Sequence, residues 1–232
     1  MTTAAPAMLE PPVTLQSTVF VVDDDPAVRK SLRWLMESVG LHVQTFGSAQ
    51  EFLAAYDPHR AGCIVMDVRM PGMGGLELQE RLRELGCRLP MIVMTAYGDV
   101  PMAVRAMKSG AVHFFEKPIN NQNLLEQIQV SLADDARRIE DEAQQRLSET
   151  RYRRLTPREA QVLDEVVGGF SSKEIGAHLG ISFKTIEAHR AKIMKKMEAD
   201  SVPHLIRMYL DLPPELRVTE GRDDEARPDS DA

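Results

Sequence analysis

The stretch Ala61-Gly62-Cys63-Ile64-Val65-Met66-Asp67-Val68-Arg69-Met70-Pro71-Gly72-Met73-Gly74-Gly75 decides the fold. Its first half is an apolar run that ends on a carboxylate, the pattern of a buried strand. Its second half is rich in Gly and Pro and reads as the loop leaving that strand. Three more runs have the same form. Thr18–Val22 runs into Asp23-Asp24-Asp25, Met91–Met94 into Thr95, and Val112–Phe115 into Glu116-Lys117-Pro118. If these strands are parallel neighbours, carboxylates, a hydroxyl and an ammonium meet at one edge of a sheet. In open α/β sheets that carboxyl edge is where ligands bind.

The segments between the runs read as helices. Asp25-Pro26 makes a cap and first turn for a helix ending near Gly40, and Leu41–Phe46 is a short second strand. Ser48 caps Ala49–Tyr56, Leu76–Leu85 is closed by Gly86, Pro101–Ser109 by Gly110, and Asn121 caps a helix starting near Gln122. Five strands alternating with five helices over residues 17–130 imply a parallel sheet with right-handed crossovers. Residues 1–16, with Pro6, Pro11 and Pro12, read as a disordered extension. Residues 131–152 repeat Leu132, Ala136, Ile139, Ala143 and Leu147 at spacings of three or four. They form a helical linker, either solvated or seamed to a second copy. Residues 153–212 read as four short helices, starting at Thr156-Pro157, Ser171 or Ser172, Ser182 and Ser201. The tight turn Leu179-Gly180-Ile181-Ser182 makes this a helix-turn-helix pattern. Residues 213–232 are acidic and expected to be disordered.

The net charge of −7 argues against a general polyanion binder, yet the charge is unevenly placed. Residues 151–212 carry 11 basic and 8 acidic residues, whereas 17–130 carry 11 and 13. The basic segment is where an anionic partner belongs. No apolar run is long enough for a membrane span, the N-terminus lacks a secretory pattern, and Cys63 and Cys87 do not suggest a disulfide framework. A cytoplasmic setting is expected.

Two adjacent carboxylates at one strand end and a third at the next suit a hard divalent cation such as magnesium. A lysine across the pocket could hold a phosphoryl oxygen, and the Thr95 hydroxyl could donate to it. This set suits phosphoryl transfer, in which catalysis is mostly positioning and charge stabilisation. The nucleophile would be a carboxylate.

The strings VVDDDPAVRKSL, VMDVRMPGMGG, MTAYGDVPMAVRAMKSGAVHFFEKP and LTPREAQVLDEVV…IGAHLGISFKTIEAHRAKIMKKM resemble the response regulators of two-component signalling. Within these the chain is similar to the FixJ type, a receiver joined to a LuxR-type helix-turn-helix. The resemblance implies a flavodoxin-like, doubly wound, five-stranded parallel sheet plus a small all-α four-helix domain. It implies that Asp67 accepts the phosphoryl group and that Asp23, Asp24, Asp67 and the backbone carbonyl of Arg69 hold Mg2+. Thr95 and Phe114 would be the switch pair, Lys117 the phosphate contact, and Lys117-Pro118 a cis bond. Asp25 reads as a helix cap. The implied partners are a sensor histidine kinase, promoter DNA, RNA polymerase and a second copy formed on phosphorylation.

By the same resemblance Phe183–Met197 is the recognition helix. Lys173, Lys184, Thr185, Glu187, Ala188, Arg190 and Lys192 are the expected DNA contacts, most of them away from a core face of Ile186, Ile193 and Met197. Arg190 is the candidate for reading guanine, and Lys184, Lys192 and Thr185 for touching phosphates. Glu187 either accepts from cytosine or is a surface charge, and His189 packs or meets a phosphate. Two other functions are open to the residues alone: a constitutive DNA binder with an inert receiver, and an aspartyl-phosphate phosphohydrolase. The second is disfavoured because Arg69 stands where such enzymes place a second acid.

Overall fold

The apolar runs pair into one parallel sheet of β1 (Thr18–Val22), β2 (His42–Phe46), β3 (Gly62–Asp67), β4 (Met91–Thr95) and β5 (Ala111–Glu116), in the order β2-β1-β3-β4-β5. Our computed structural model describes residues 17–96 and 98–217. They fall into two units that divide between Ile139 and Glu140.

In the first unit, α1 (Pro26–Glu37), α2 (Ala49–Ala55), α3 (Gly75–Glu84), α4 (Val100–Lys108) and the start of α5 (Asn121–Tyr152) connect or follow the strands. Strand alternation sends residues to two cores. Phe20, Val22, Ile64, Met66 and Val93 pack with Phe52, Leu78, Leu82 and Ala106 from α2, α3 and α4. Val19, Val21, Cys63, Val65, Ile92 and Met94 pack with Leu32 and Met36 of α1 and Leu124 and Ile128 of α5. β1, β3 and β4 are buried throughout, as continuous apolar strands in a covered parallel sheet should be.

The caps follow the sequence closely. Asp25 accepts from Ala27 N at 2.8 Å and Ser48 from Glu51 N at 3.1 Å. The cap of α5 is corrected by one residue: Asn120, not Asn121, accepts from the backbone amides of Gln122 and Asn123. Either asparagine fits the cap preference, and only the local backbone decides between them.

The segment expected to be a linker starts inside the first unit. α5 is a single 32-residue helix, and on it Ser131 and Asp135 are buried. Asp135 Oδ2 accepts from Gly62 N at 2.8 Å, and its Oδ1 pairs with Arg138 at 2.6 Å. Gly62 opens β3 at φ 147°, and a Cβ there would lie 1.9 Å from the carbonyl oxygen of Thr18. This close backbone approach admits only glycine.

The second unit contains α6 (Pro157–Val167), α7 (Ser172–Leu179), α8 (Phe183–Met197) and α9 (Val202–Leu210). Thr156, Ser171, Ser182 and Ser201 cap them in turn, and the first two complete capping boxes with Glu159 and Glu174. Tyr152, Leu163, Ile175, Ile186, Ile193, Met197 and Tyr209 share one core. Residues 213–217, expected to belong to the disordered tail, are among the described residues. Pro214–Leu216 form a 3-10 turn, and Arg217 Nε donates to the Leu212 carbonyl at 2.9 Å. The expected disordered extension 1–16 and the tail from 218 onward lie outside the described residues.

Candidate functional site

The strand register aligns the carboxyl ends. Val22 pairs with Met66, Asp67 with Met94, and Thr95 with Glu116. Asp67 therefore ends the central strand β3, flanked by Asp23 just after β1 and Thr95 at the end of β4. Lys117, one residue beyond β5, reaches back across the edge. Its Nζ lies 2.6 Å from Asp67 Oδ1 and 2.8 Å from Asp23 Oδ2. The other oxygens are held by backbone: Arg69 N donates to Asp67 Oδ2 at 2.6 Å, and Asp25 N to Asp23 Oδ1 at 2.9 Å. Gly75 begins α3 so close to β3 that a Cβ would lie 2.1 Å from the Asp67 carbonyl oxygen, which fixes the loop over the site.

Asp23, Asp67 and Thr95 are buried, whereas Asp24 is exposed beside them. Burial pushes the Asp23 carboxyl above its usual range, against the opposing pull of Lys117 and the Asp25 amide. Burial also works to lower Lys117, but its hydrogen bonds to Asp23 and Asp67 carry it above the ordinary lysine value. One ammonium thus serves two buried carboxylates, which leaves the pocket net acidic. Among the described residues, no three His, Cys, Asp or Glu side chains form a ready-made metal cage. Magnesium takes one or two carboxylates and keeps waters, so this all-oxygen set fits that ion without a cage.

Phe114 is half-buried and packs on the core with Met102. A Cβ on Gly98 would lie 3.2 Å from the Phe114 ring and 3.3 Å from Thr95 Cγ2, so the aromatic and the hydroxyl residue border the same loop glycine. The Lys117-Pro118 bond is cis. Arg29 was not singled out from the sequence. Its Nη1 donates to the Asp23 carbonyl at 2.7 Å, and nothing in the local pattern of α1 marks it.

In the second unit, Lys173 is exposed on α7, and Lys184, Thr185, Glu187, Ala188 and Lys192 are exposed on α8. Arg190 is less exposed than these neighbours. It is half-buried and lines a small cavity with Leu163, Val166, Ile193, Met194, Val202 and Leu205. It sits four residues after Ile186 and three before Ile193, within the core stripe, and its stem covers apolar surface. Glu187, exposed on the helix surface, also accepts from Ser172 Oγ at 2.5 Å. His189 is half-buried and its Nδ1 finds no hydrogen-bond partner among the described residues. Lys195 is also exposed on the outer face.

Among the described residues, no helix is long and apolar enough to cross a membrane. Residues 19–129 match the response regulator receiver domain family, and residues 153–209 match the bacterial regulatory proteins of the luxR family. The transcriptional regulatory protein FixJ of Azorhizobium caulinodans is 47% identical over 192 residues, covering 83% of this chain and 91% of its own. The transcriptional regulatory protein TdiR of Thauera aromatica is 44% identical over 194 residues, covering 84% and 86%. The solved structure of response regulator StyR is 44% identical with a TM-score of 0.73, covering 83% of this chain and 98% of its own. The chain belongs to the FixJ-type response regulators, transcriptional regulators in which a receiver domain is joined to a LuxR-type helix-turn-helix.

Proposed function

We propose that Asp67 is the phosphoacceptor and that its phosphorylation controls binding of promoter DNA by α8. The observation that carries this reading is the shared ammonium of Lys117, 2.6 Å from Asp67 and 2.8 Å from Asp23. A buried carboxylate with a cation beside it suits a nucleophile whose cation can pass to a phosphoryl oxygen. A carboxylate oxygen of Asp67 attacks the phosphorus of a phosphohistidine on a partner kinase. The P–N bond breaks and the imidazole leaves, retaining the electron pair. Asp23, Asp24, Asp67 and the Arg69 carbonyl would hold magnesium, which supplies charge neutralisation for the incoming phosphoryl oxygens. Lys117 exchanges its Asp67 contact for the phosphate, and Thr95 donates to another oxygen.

The rearranged site then biases a bistable element. Thr95 and Phe114 border Gly98, at the entrance to α4. Movement of this pair alters the surface of α4 and β5, where Val100, Val104, Met107 and Val112 are exposed. Two copies meet on that surface and present two α8 helices to promoter DNA in the cytosol. Paired half-sites raise affinity through effective concentration, and RNA polymerase is the downstream partner. In this reading the receiver spans 17–130, a helical connection 131–152 and a DNA-binding unit 153–212. Dephosphorylation by the receiver itself is slow, and the chain is a regulator rather than an enzyme of turnover.

The test is intact-mass and peptide mass spectrometry after treatment with acetyl phosphate and magnesium, with sedimentation to follow assembly. One phosphoryl group on Asp67 and a shift from monomer to dimer are expected. Phosphorylation elsewhere, or none, would overturn the reading.

A further inference from the structure

The outward face of α8 offers few polar groups able to read a base. Ile186, Ile193 and Met197 are buried. At about 100° per residue, the positions pointing the other way are Lys184, Ala188, Ala191 and Lys195, and all four are exposed. Of the polar residues beside that line, Lys192 is exposed and its flexible stem suits a phosphate, whereas Glu187, Thr185 and Arg190 have contacts inside the unit. Glu187 accepts from Ser172 Oγ at 2.5 Å, and Thr185 Oγ1 shares a hydrogen bond with Ser182 Oγ at 2.8 Å. Arg190 is half-buried against the apolar cavity. The centre of the face is therefore two methyl groups, with an ammonium at either end roughly 16 Å apart along the axis.

The major groove admits a helix, and the one apolar feature on a base edge there is the C5 methyl of thymine. Alanine is also short enough to let the helix backbone approach the groove floor. Flexible lysines at the ends suit phosphates, which set register without specifying sequence. We infer that Ala188 and Ala191 read thymine through methyl contacts while Lys184 and Lys195 clamp the flanking phosphates. This rests on α8 being the DNA-reading helix and names the base that the helix selects.

The test uses the full chain treated with acetyl phosphate and magnesium. Duplexes are selected from a random library, and each thymine of the recovered site is then replaced in turn by deoxyuridine, which lacks only the methyl. One or two replacements are expected to weaken binding about fourfold each, the value of one buried methyl group. Ala188→Gly and Ala191→Gly should bind the thymine and uracil duplexes equally. Ala188→Ser and Ala191→Ser, which preserve the helix better, should also lose the preference, and circular dichroism confirms that each variant folds. Lys195→Ala should weaken every duplex alike and reduce the salt slope by about one.

Wild-type binding that is indifferent to uracil at every thymine overturns the inference. So do glycine variants that retain the full discrimination. If no duplex is enriched over the starting library, the DNA-reading role of α8 fails, and the inference fails with it.

Discussion

Replacing Lys117 by Met keeps the side-chain length and removes the ammonium shared by Asp23 and Asp67. The ammonium contacts both carboxylates, at 2.8 Å and 2.6 Å, and the Lys117 side chain is only 24% exposed. Breaking a fully buried pair typically costs about 3–5 kcal/mol. Solvent at the mouth of the pocket screens part of that, so we expect roughly 1–3 kcal/mol at neutral pH. For a domain of this size that is about 4–12 °C in melting temperature. The loss should depend on pH with a definite sign. Burial already holds the Asp23 carboxyl above its ordinary value, and losing Lys117 raises it further. The folded variant therefore binds a proton that the unfolded chain releases, and its stability rises as pH falls through that raised value. The deficit relative to the parent protein should shrink in mild acid, and added magnesium should narrow it at neutral pH. Thermal melting by circular dichroism in these conditions decides the matter. A variant that melts with the parent protein at neutral pH, or with the same deficit in acid, would refute the account of the pocket.

Three further outcomes follow from other parts of the molecule. Asp135→Ala leaves the Gly62 amide without its buried carboxylate partner and should cost about 1.5–3 kcal/mol in urea denaturation. Asp135→Asn, which keeps an acceptor, should cost less. Gly62→Ala drives a Cβ to 1.9 Å from the Thr18 carbonyl oxygen at positive φ, and should lower stability by about 4 kcal/mol or more, measured in the same way. Burial pushes the Glu159 carboxyl upward, but hydrogen bonds from Lys196 and Thr156 hold it below its usual value. Its stabilising effect is present above the ordinary glutamate pKa and is lost as pH falls through the lowered value. Hydrogen exchange in α6–α9 of the full chain should show this acid sensitivity, and Glu159→Gln should flatten it.

The receiver pocket was legible because strand polarity converts a pattern along the chain into a place in space. Four apolar runs ending in Asp23, Asp67, Thr95 and Lys117 needed only a parallel register to meet, and the register aligns them. The caps at Thr156, Ser182 and Ser201 were readable for a similar reason, since a capping hydroxyl acts within three residues, and Ser171 was one of two adjacent serines offered. What escaped were contacts between residues far apart in sequence. Asp135 meets Gly62 across 73 residues, and nothing local distinguishes it from the solvated acids around it. The placement of Arg190 was hard to read for another reason. Its charge suggested an outward position, but its spacing from Ile186 and Ile193 places it on the core side, where the aliphatic stem packs. For that residue, periodicity was the better guide than chemistry.

The most direct test of the central claim is a fluorescence anisotropy titration of a selected duplex with the full chain, with and without acetyl phosphate and magnesium. The account predicts tighter binding on phosphorylation for the parent protein and no change for Asp67→Asn. Equal affinity in both states of the parent protein, or a full response from Asp67→Asn, would contradict it.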